Sequence, residues 1–345
     1  DGAHFSREFI IMLLAVFLGI IAALFLSYFD YQVYTKFWPV IAVFCVIIML
    51  VLFKWGTGPS SRPDARTWLS IGPINFQPSE LVKIGFIITF GVHLDKVKEK
   101  INNIFSILQL GAHAAVPIVL VAATGDMGSA LVFMVIAIVM MFVAGVHWGY
   151  FLGGIALVGA ATPLIWTYVL KQLQKDRFLA LIYPDLYPDI IYQQQRGLNA
   201  IGAGGITGQG LFKGAYTQAG AVPESQNDMI FSVVGEELGF IGCITALLLI
   251  VLITVRIIYV GKKSSEQSTN LICTGMAAMI IGQMIINVGM CLMLLPVIGI
   301  TLPFFSAGGS SNLCVYLGIG IVMSIYRHNC DTGAVNIRVY DSLKK

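Results

Sequence analysis

The sequence predicts an all-α fold: a polytopic membrane helix bundle of about nine spans with one large extracellular loop. Three observations carry this. Hydrophobic residues make up 57% of the 345 residues and charged residues only 11%, whereas a soluble domain carries about a quarter charged residues. The mean hydropathy is +0.83. The apolar residues also fall in long runs, near the ~20 residues that a helix needs to cross a bilayer core. A chain this apolar has too few polar residues to cover a water-exposed surface.

The runs cover approximately 9–27, 38–53, 79–94, 108–124, 127–146, 148–170, 230–258, 269–294 and 304–326. Gly125-Asp126 and His147 alone separate the fourth, fifth and sixth. Backbone polar groups in hydrocarbon must bond within their own segment, so the runs are helices. The alternating ten-residue strands of an outer-membrane barrel are missing.

Basic residues orient the bundle. One set of loops holds Lys36, Lys96, Lys98, Lys100, Arg256, Lys262, Lys263, Arg327, Arg338, Lys344 and Lys345. The short segments of the opposite set hold only Arg7, Lys54, Arg62 and Arg66. The richer set marks the cytoplasmic side. The segment 54–78, the long loop 171–229 and the apolar loop 295–303 then lie outside. Residues 1–328 read as a single polytopic transmembrane domain, with the active site expected on loop 171–229, and 329–345 as a frayed cytoplasmic tail. Asp1–Arg7 lacks the basic start and cleavage site of a signal peptide. It reads as a loop entered from the outer face, as though a span preceded it.

Several function classes drop out. A net charge of +3, dispersed along the chain, gives no footprint for nucleic acid. Cys45, Cys243, Cys273, Cys291, Cys314 and Cys330 form no CxxC, and five of them sit in apolar runs, which argues against a disulfide framework or a zinc site. The five histidines form no HExxH.

Scarce charges in such a chain call for a reason. Glu80 and Lys83 follow Pro78 at the start of the third run and share one helix face. Two readings stand side by side: a structural ion pair, or the wall of a polar cavity that meets substrate. For Asp126, at a short turn, a helix N-terminal role is favoured. The run Gly202-Ala203-Gly204-Gly205-Ile206-Thr207-Gly208-Gln209-Gly210 is no P-loop, since no Gly-Lys-Ser/Thr follows. Its glycines permit tight turns, with a backbone nest for phosphate, flanked by Arg196 and Lys213, as the lesser reading. Pro223-Glu224-Ser225-Gln226-Asn227-Asp228 leads back into the membrane, and Glu236 and Glu237 follow. Spacing alone narrowly favours Asp228 as a helix N-cap. The functional alternative is a general base, its pKa raised by partial burial and by the neighbouring carboxylates. Leu295–Pro303 is apolar but broken by Pro and Gly, and Ser306-Ala307-Gly308-Gly309-Ser310-Ser311 continues it. Close packing is the first reading, a groove for a lipid chain the second.

These pieces, in order, resemble the shape, elongation, division and sporulation family. They are Trp68, Phe76-Gln77-Pro78-Ser79-Glu80, Gly125-Asp126-Met127-Gly128-Ser129-Ala130, the Gly-rich run to Gly210, Pro223–Asp228, Gly235-Glu236-Glu237-Leu238-Gly239, Leu295–Ile300 and Ser306–Ser311. The match runs from about residue 7 to 328. Gln226-Asn227-Asp228 looks more like the RodA (elongation) branch than the FtsW (division) branch. Members have ten spans, so the resemblance implies that this chain starts near the second. Ala307 stands where many relatives carry tyrosine, and Met229 where many carry phenylalanine.

The resemblance implies a peptidoglycan glycosyltransferase of the bacterial cytoplasmic membrane, active on its outer face. It would transfer a growing glycan from a polyprenyl pyrophosphate to the 4-hydroxyl of lipid II, with inversion. Asp228 matches the family's catalytic aspartate, and Glu224, Asp126 and Glu80 fall in matching motifs as substrate-binding candidates. Arg196, Lys213, Lys83 or a divalent cation such as Mg²⁺ would neutralise the leaving pyrophosphate. Trp68 would stack on a sugar or organise the outer cavity; interfacial anchoring is its plainer role. Implied partners are a class B penicillin-binding protein and other membrane proteins of the elongation complex. A lipid II flippase and a non-catalytic scaffold are the competing classes.

Overall fold

The computed structural model describes residues 7–58, 65–72 and 74–343. Arg62, Lys344, Lys345 and the entry segment Asp1–Ser6 lie outside the described residues, as do the side chains of Arg7, Cys330 and Arg338. The fold is all-α apart from one small hairpin. In chain order the elements are α1 (Arg7–Tyr28), α2 (Tyr31–Lys36), α3 (Trp38–Trp55), β1 (Leu69–Ile71), β2 (Ile74–Phe76), α4 (Pro78–Lys96), α5 (Ile104–Ala123), α6 (Met127–Val143) and α7 (Trp148–Leu164). There follow α8 (Gln172–Ile182), α9 (Pro188–Gly204), α10 (Ala215–Gln218), α11 (Ile230–Lys263), α12 (Gln267–Cys291) and α13 (Gly309–Leu343).

A helix covers each of the nine apolar runs. Seven are long and apolar enough to cross a membrane, and α6 is apolar but shorter. The remaining one, α4, carries Glu80, Lys83, Asp95 and Lys96. Its burial explains how it holds them: nearly every side chain from Pro78 to Leu94 is covered by protein. The last span starts later than the apolar run suggests, at Gly309, because Phe304 adopts a left-handed φ of 69°. The segment 329–343, expected to fray, continues α13 as helix; it contains no proline to stop it.

The long loop is the main departure. It contains three helices, α8, α9 and α10. Proline opens α9 at its first turn, where no hydrogen bond is lost. Ile191, Gln194, Gly197, Ala200 and Gly204 form its buried face at helical spacing. With only one such face apolar, the segment has no long apolar run to announce it.

The chain folds as two compact units. Unit 1 comprises residues 1–146, 253–280 and 307–345; unit 2 comprises 147–252 and 281–306. In unit 1, α4 is the central element, packed by α2, α3, α5, α6 and α13. His93 on α4 and His113 on α5 meet there, Nδ1 to Nδ1 at 2.9 Å; a pair on separate helices has no spacing to betray it. Helix α1 lies along α13, and the backbones come close at Gly320, where a Cβ would stand 2.7 Å from the Cα of Ala23. In unit 2, α9 packs on α8 and α10.

The close approach of α1 and α13 makes Gly320→Leu a test of unit 1. Overpacking typically costs about 1–3 kcal/mol, and here the obstacle is backbone, which cannot rotate away. Thermal unfolding in detergent should show a clear loss for Gly320→Leu and little change for Gly111→Leu, whose Cβ meets nothing within 4 Å.

Candidate active site

Unit 1 gathers polar groups where three helices begin. The hairpin pairs β1 with β2, Leu69 opposite Phe76, and delivers the chain to Gln77 and Pro78 at the start of α4. Gln77 Nε2 donates to Asp126 Oδ2 at 2.8 Å, and Ser79 Oγ donates to the same oxygen at 3.1 Å. The other oxygen, Asp126 Oδ1, accepts from the Ser129 N–H at 3.0 Å, which caps α6. A carboxylate at a helix N-terminus, with further donors around it, compensates well for its burial. Ser310, in the first turn of α13, accepts from the Gln77 N–H at 3.1 Å and donates to the Asn75 carbonyl at 3.2 Å. The starts of α4, α6 and α13 are thereby tied together.

One turn into α4, Lys83 Nζ donates to Glu80 Oε1 at 2.7 Å. The Lys83 side chain is wholly buried and that of Glu80 is 6% exposed. Trp68 is partly exposed beside the hairpin; its carbonyl accepts from the Thr57 N–H at 2.8 Å. The serines at 306 and 310, read first as packing residues, bond backbone instead.

Unit 2 holds the remaining candidates. The turn 224–229 precedes α11. Glu224 takes a left-handed φ of 52°, and its carbonyl accepts from the N–H groups of Asn227 and Met229 at 3.0 and 3.1 Å. Its side chain accepts from Asn227 Nδ2 at 3.0 Å. Asp228, partly exposed, sits near the end of this turn, two residues before the helix starts. Its carbonyl accepts from Asn287 Nδ2 at 2.8 Å and from Cys291 Sγ at 3.6 Å. Asn287 Nδ2 donates also to the Ile300 carbonyl at 2.7 Å. One buried amide thus joins the Asp228 turn to the irregular segment 292–308. Sequence reasoning missed Asn287; the signal was an asparagine inside an apolar span.

That irregular segment has its backbone served by side chains. Gln194 Nε2 donates to the carbonyls of Met290 and Leu295, and Arg177 to that of Val297. Ser306 Oγ accepts from the Leu302 N–H at 2.8 Å and donates to the Asn227 carbonyl at 2.7 Å.

The Gly-rich loop has a similar logic. Helix α11 is broken at Gly239, with φ 68° and ψ −164°, a conformation that suits glycine alone. The break frees backbone groups on both sides of it. The N–H groups of Phe240 and Ile241 donate to the carbonyls of Gly205 and Ile206, at 2.9 and 3.2 Å. The carbonyls of Glu236 and Glu237 accept from the N–H groups of Gln209 and Gly210, at 3.0 and 2.9 Å. No side chain fits at Gly208: a Cβ there would lie 2.1 Å from the Glu237 carbonyl oxygen.

The two glutamate side chains also hold this loop. Glu236 accepts from the N–H groups of Tyr216 and Thr217, at 2.6 and 2.9 Å, and from the Thr217 hydroxyl. Glu237 accepts from the Phe212 N–H at 3.0 Å. Both carboxylates clamp the loop. Lys213 is exposed at the tip of the loop, and Arg196 on α9 lies over the Tyr192 ring at 5.1 Å.

The chain belongs to the FtsW/RodA/SpoVE family of cell cycle proteins. The family's model matches residues 3–331. Peptidoglycan glycosyltransferase MrdB of Escherichia coli K12 is 28% identical over 314 residues, covering 90% of this chain and 83% of its own. A probable peptidoglycan glycosyltransferase FtsW of Geobacter sp. M18 is 31% identical over 332 residues, covering 94% and 87%. Among solved structures, one on the structural coordination of polymerization and crosslinking by a peptidoglycan synthase complex contains a similar chain. It has a TM-score of 0.79 at 26% identity, over 93% of this chain and 90% of that one. The rod shape determining protein RodA of Thermus thermophilus, at 24% identity and a TM-score of 0.70 over 95% and 90%, shares the fold. The all-α polytopic architecture is therefore that of the family.

Two outcomes follow from this geometry. Removing one partner of a buried ion pair costs about 3–5 kcal/mol. Lys83→Met should accordingly lower thermal stability sharply, while Glu80→Lys combined with Lys83→Glu should recover most of the loss. A swap no better than the single change would argue that the pair's place is set by something other than mutual attraction. Asn287→Leu leaves two carbonyls without their amide, at about 1–3 kcal/mol each. Amide hydrogen exchange should speed up at Asn227 and Met229 while α4 in unit 1 stays protected.

Proposed function

We propose that this chain is a peptidoglycan glycosyltransferase that polymerises lipid II at the outer face of the bacterial cytoplasmic membrane, in cell elongation and shape maintenance, with Asp228 as general base. The observation that carries the reading is membership of this family over nearly the whole chain, with both named relatives being peptidoglycan glycosyltransferases or probable ones.

What supports the base assignment is the way Asp228 is held. Its main-chain carbonyl is fixed by Asn287 and Cys291, and its turn is closed by Glu224. The backbone at 228 is thereby fixed, and a base must be held in place if it is to meet a substrate hydroxyl. In the reaction the sugar 4-hydroxyl of lipid II attacks the anomeric carbon of the donor glycan. Asp228 takes the hydroxyl proton as the new C–O bond forms. The bond to the polyprenyl pyrophosphate breaks, and that group leaves as an anion on the opposite face, inverting the centre.

The leaving pyrophosphate calls for positive charge more than for a proton. Lys83, Arg196 and Lys213 are the candidate cations. Among the described residues no three His, Cys, Asp or Glu side chains gather as a metal-holding group. Mg²⁺ commonly needs only one or two carboxylates beside substrate phosphates, and Asp228 with Glu224 would be the pair in this turn. Its chemistry would be charge neutralisation. A class B penicillin-binding protein is the proposed partner, consistent with the similar chain found in a peptidoglycan synthase complex.

The test is polymerisation of lipid II by the purified chain, with and without a class B penicillin-binding protein. Wild type should make glycan strands. Asp228→Asn and Asp228→Ala should lose activity by 10²-fold or more, in keeping with the usual size of a general-base contribution, while their thermal unfolding stays near wild type. Full activity in Asp228→Ala would remove the base. No polymer from wild type in any combination would favour a flippase or a scaffold.

A further inference from the structure

We propose that the tip of the Gly-rich loop, residues 205–213, is a wedge inserted into the lipid interface at the membrane face where α11 begins. Ile206, Leu211 and Phe212 are the inserted side chains. Four facts within unit 2 lead there.

The first is depth. Helix α11 carries no charge from Leu238 to Val255, between Glu237 and Arg256. At 1.5 Å per residue that stretch is about 27 Å long, close to the ~30 Å of a hydrocarbon core. Glu237 therefore marks the border of the apolar region. The loop is bonded to α11 at that border and just inside it: Gly210 to Glu237, Gly205 to Phe240 and Ile206 to Ile241. Loop residues bonded at this level share the level of the helix.

The second is exposure. Ile206 is 70% exposed, Leu211 60% and Phe212 81%. Phe240 and Ile241, on the membrane helix beside them, are exposed as well, at 64% and 56%. Apolar side chains at that depth face lipid, and the loop extends the same apolar surface sideways from the helix.

The third is rigidity. Phe212 adopts a left-handed φ of 58°, which is unusual for a bulky residue. Its N–H is held by the buried carboxylate of Glu237. A disfavoured conformation fixed by a buried charge is not a loose tip; it aims the ring outward. The fourth is the neighbour. Lys213 is exposed directly after Phe212, where its stem can follow the apolar surface and its ammonium reach the phosphate layer.

The lipid bilayer is the occupant that depth and composition select. The inference goes beyond the proposed reaction, and its test uses no substrate. The full chain is prepared in nanodiscs of phosphatidylethanolamine and phosphatidylglycerol, with p-benzoylphenylalanine in place of Phe212. A second preparation carries it in place of Phe240, on the membrane helix, and a third in place of Ala219, exposed just after α10. After ultraviolet irradiation, lipid adducts are quantified by mass spectrometry. Lipid adducts at 212 should come within about threefold of those at 240 and exceed those at 219 at least tenfold. Adducts at 212 as scarce as at 219, or adducts at 212 to protein in place of lipid, would overturn the proposal. Circular dichroism and unfolding of each labelled chain confirm that the fold is retained, so a low yield at 212 counts against insertion.

Discussion

A membrane chain that breaks its helices must find partners for the backbone groups it frees, and this requirement organises the polar chemistry of the molecule. Each unsatisfied backbone group in hydrocarbon costs several kcal/mol. The break at Gly239 frees two N–H groups and two carbonyls, and the Gly-rich loop supplies a partner for each of the four. The irregular segment after α12 frees more, and Gln194, Arg177, Asn287 and Ser306 bond to it. Gln194, Asn287 and Ser306 are buried because they serve main chain. Gly204 and Gly208 follow from the same need, since only a backbone without Cβ atoms can come close enough to mend the helix.

The nine apolar runs were legible as helices because their signal is local. A run of about 20 apolar residues means the same thing wherever it lies. Asp126 was legible for a similar reason: an aspartate at a short turn before an apolar run is a capping pattern. The loop 171–229 was not legible as structure, because α9 buries a single face made partly of Gln194, Gly197 and Gly204. Such a face leaves almost no apolar periodicity. The family resemblance was carried by ordered motifs, and the matched residues 3–331 bear it out.

Glu236 and Glu237 are instructive in the same terms. Carboxylates close to Asp228 in sequence look like one electrostatic group. Each glutamate finds its donors in a distant stretch: Glu236 at Tyr216 and Thr217, Glu237 at Phe212. Asn287 shows the converse. It stands 59 residues from Asp228, no motif links them, and still its amide fixes the carbonyl of that residue. Long-range hydrogen bonds to main chain leave no trace in spacing, so sequence reasoning finds the residue that reacts sooner than the residues that place it.

That division has a consequence for how such a site works. Here the turn is closed by the carbonyl of Glu224 and anchored through the carbonyl of Asp228. The scaffold therefore draws on the main chain at 228. The same separation appears at the Gly-rich loop, where buried glutamates hold backbone N–H groups and the outward side chains of Leu211 and Phe212 are left for another surface. In both places the backbone is fixed from behind by a buried polar group.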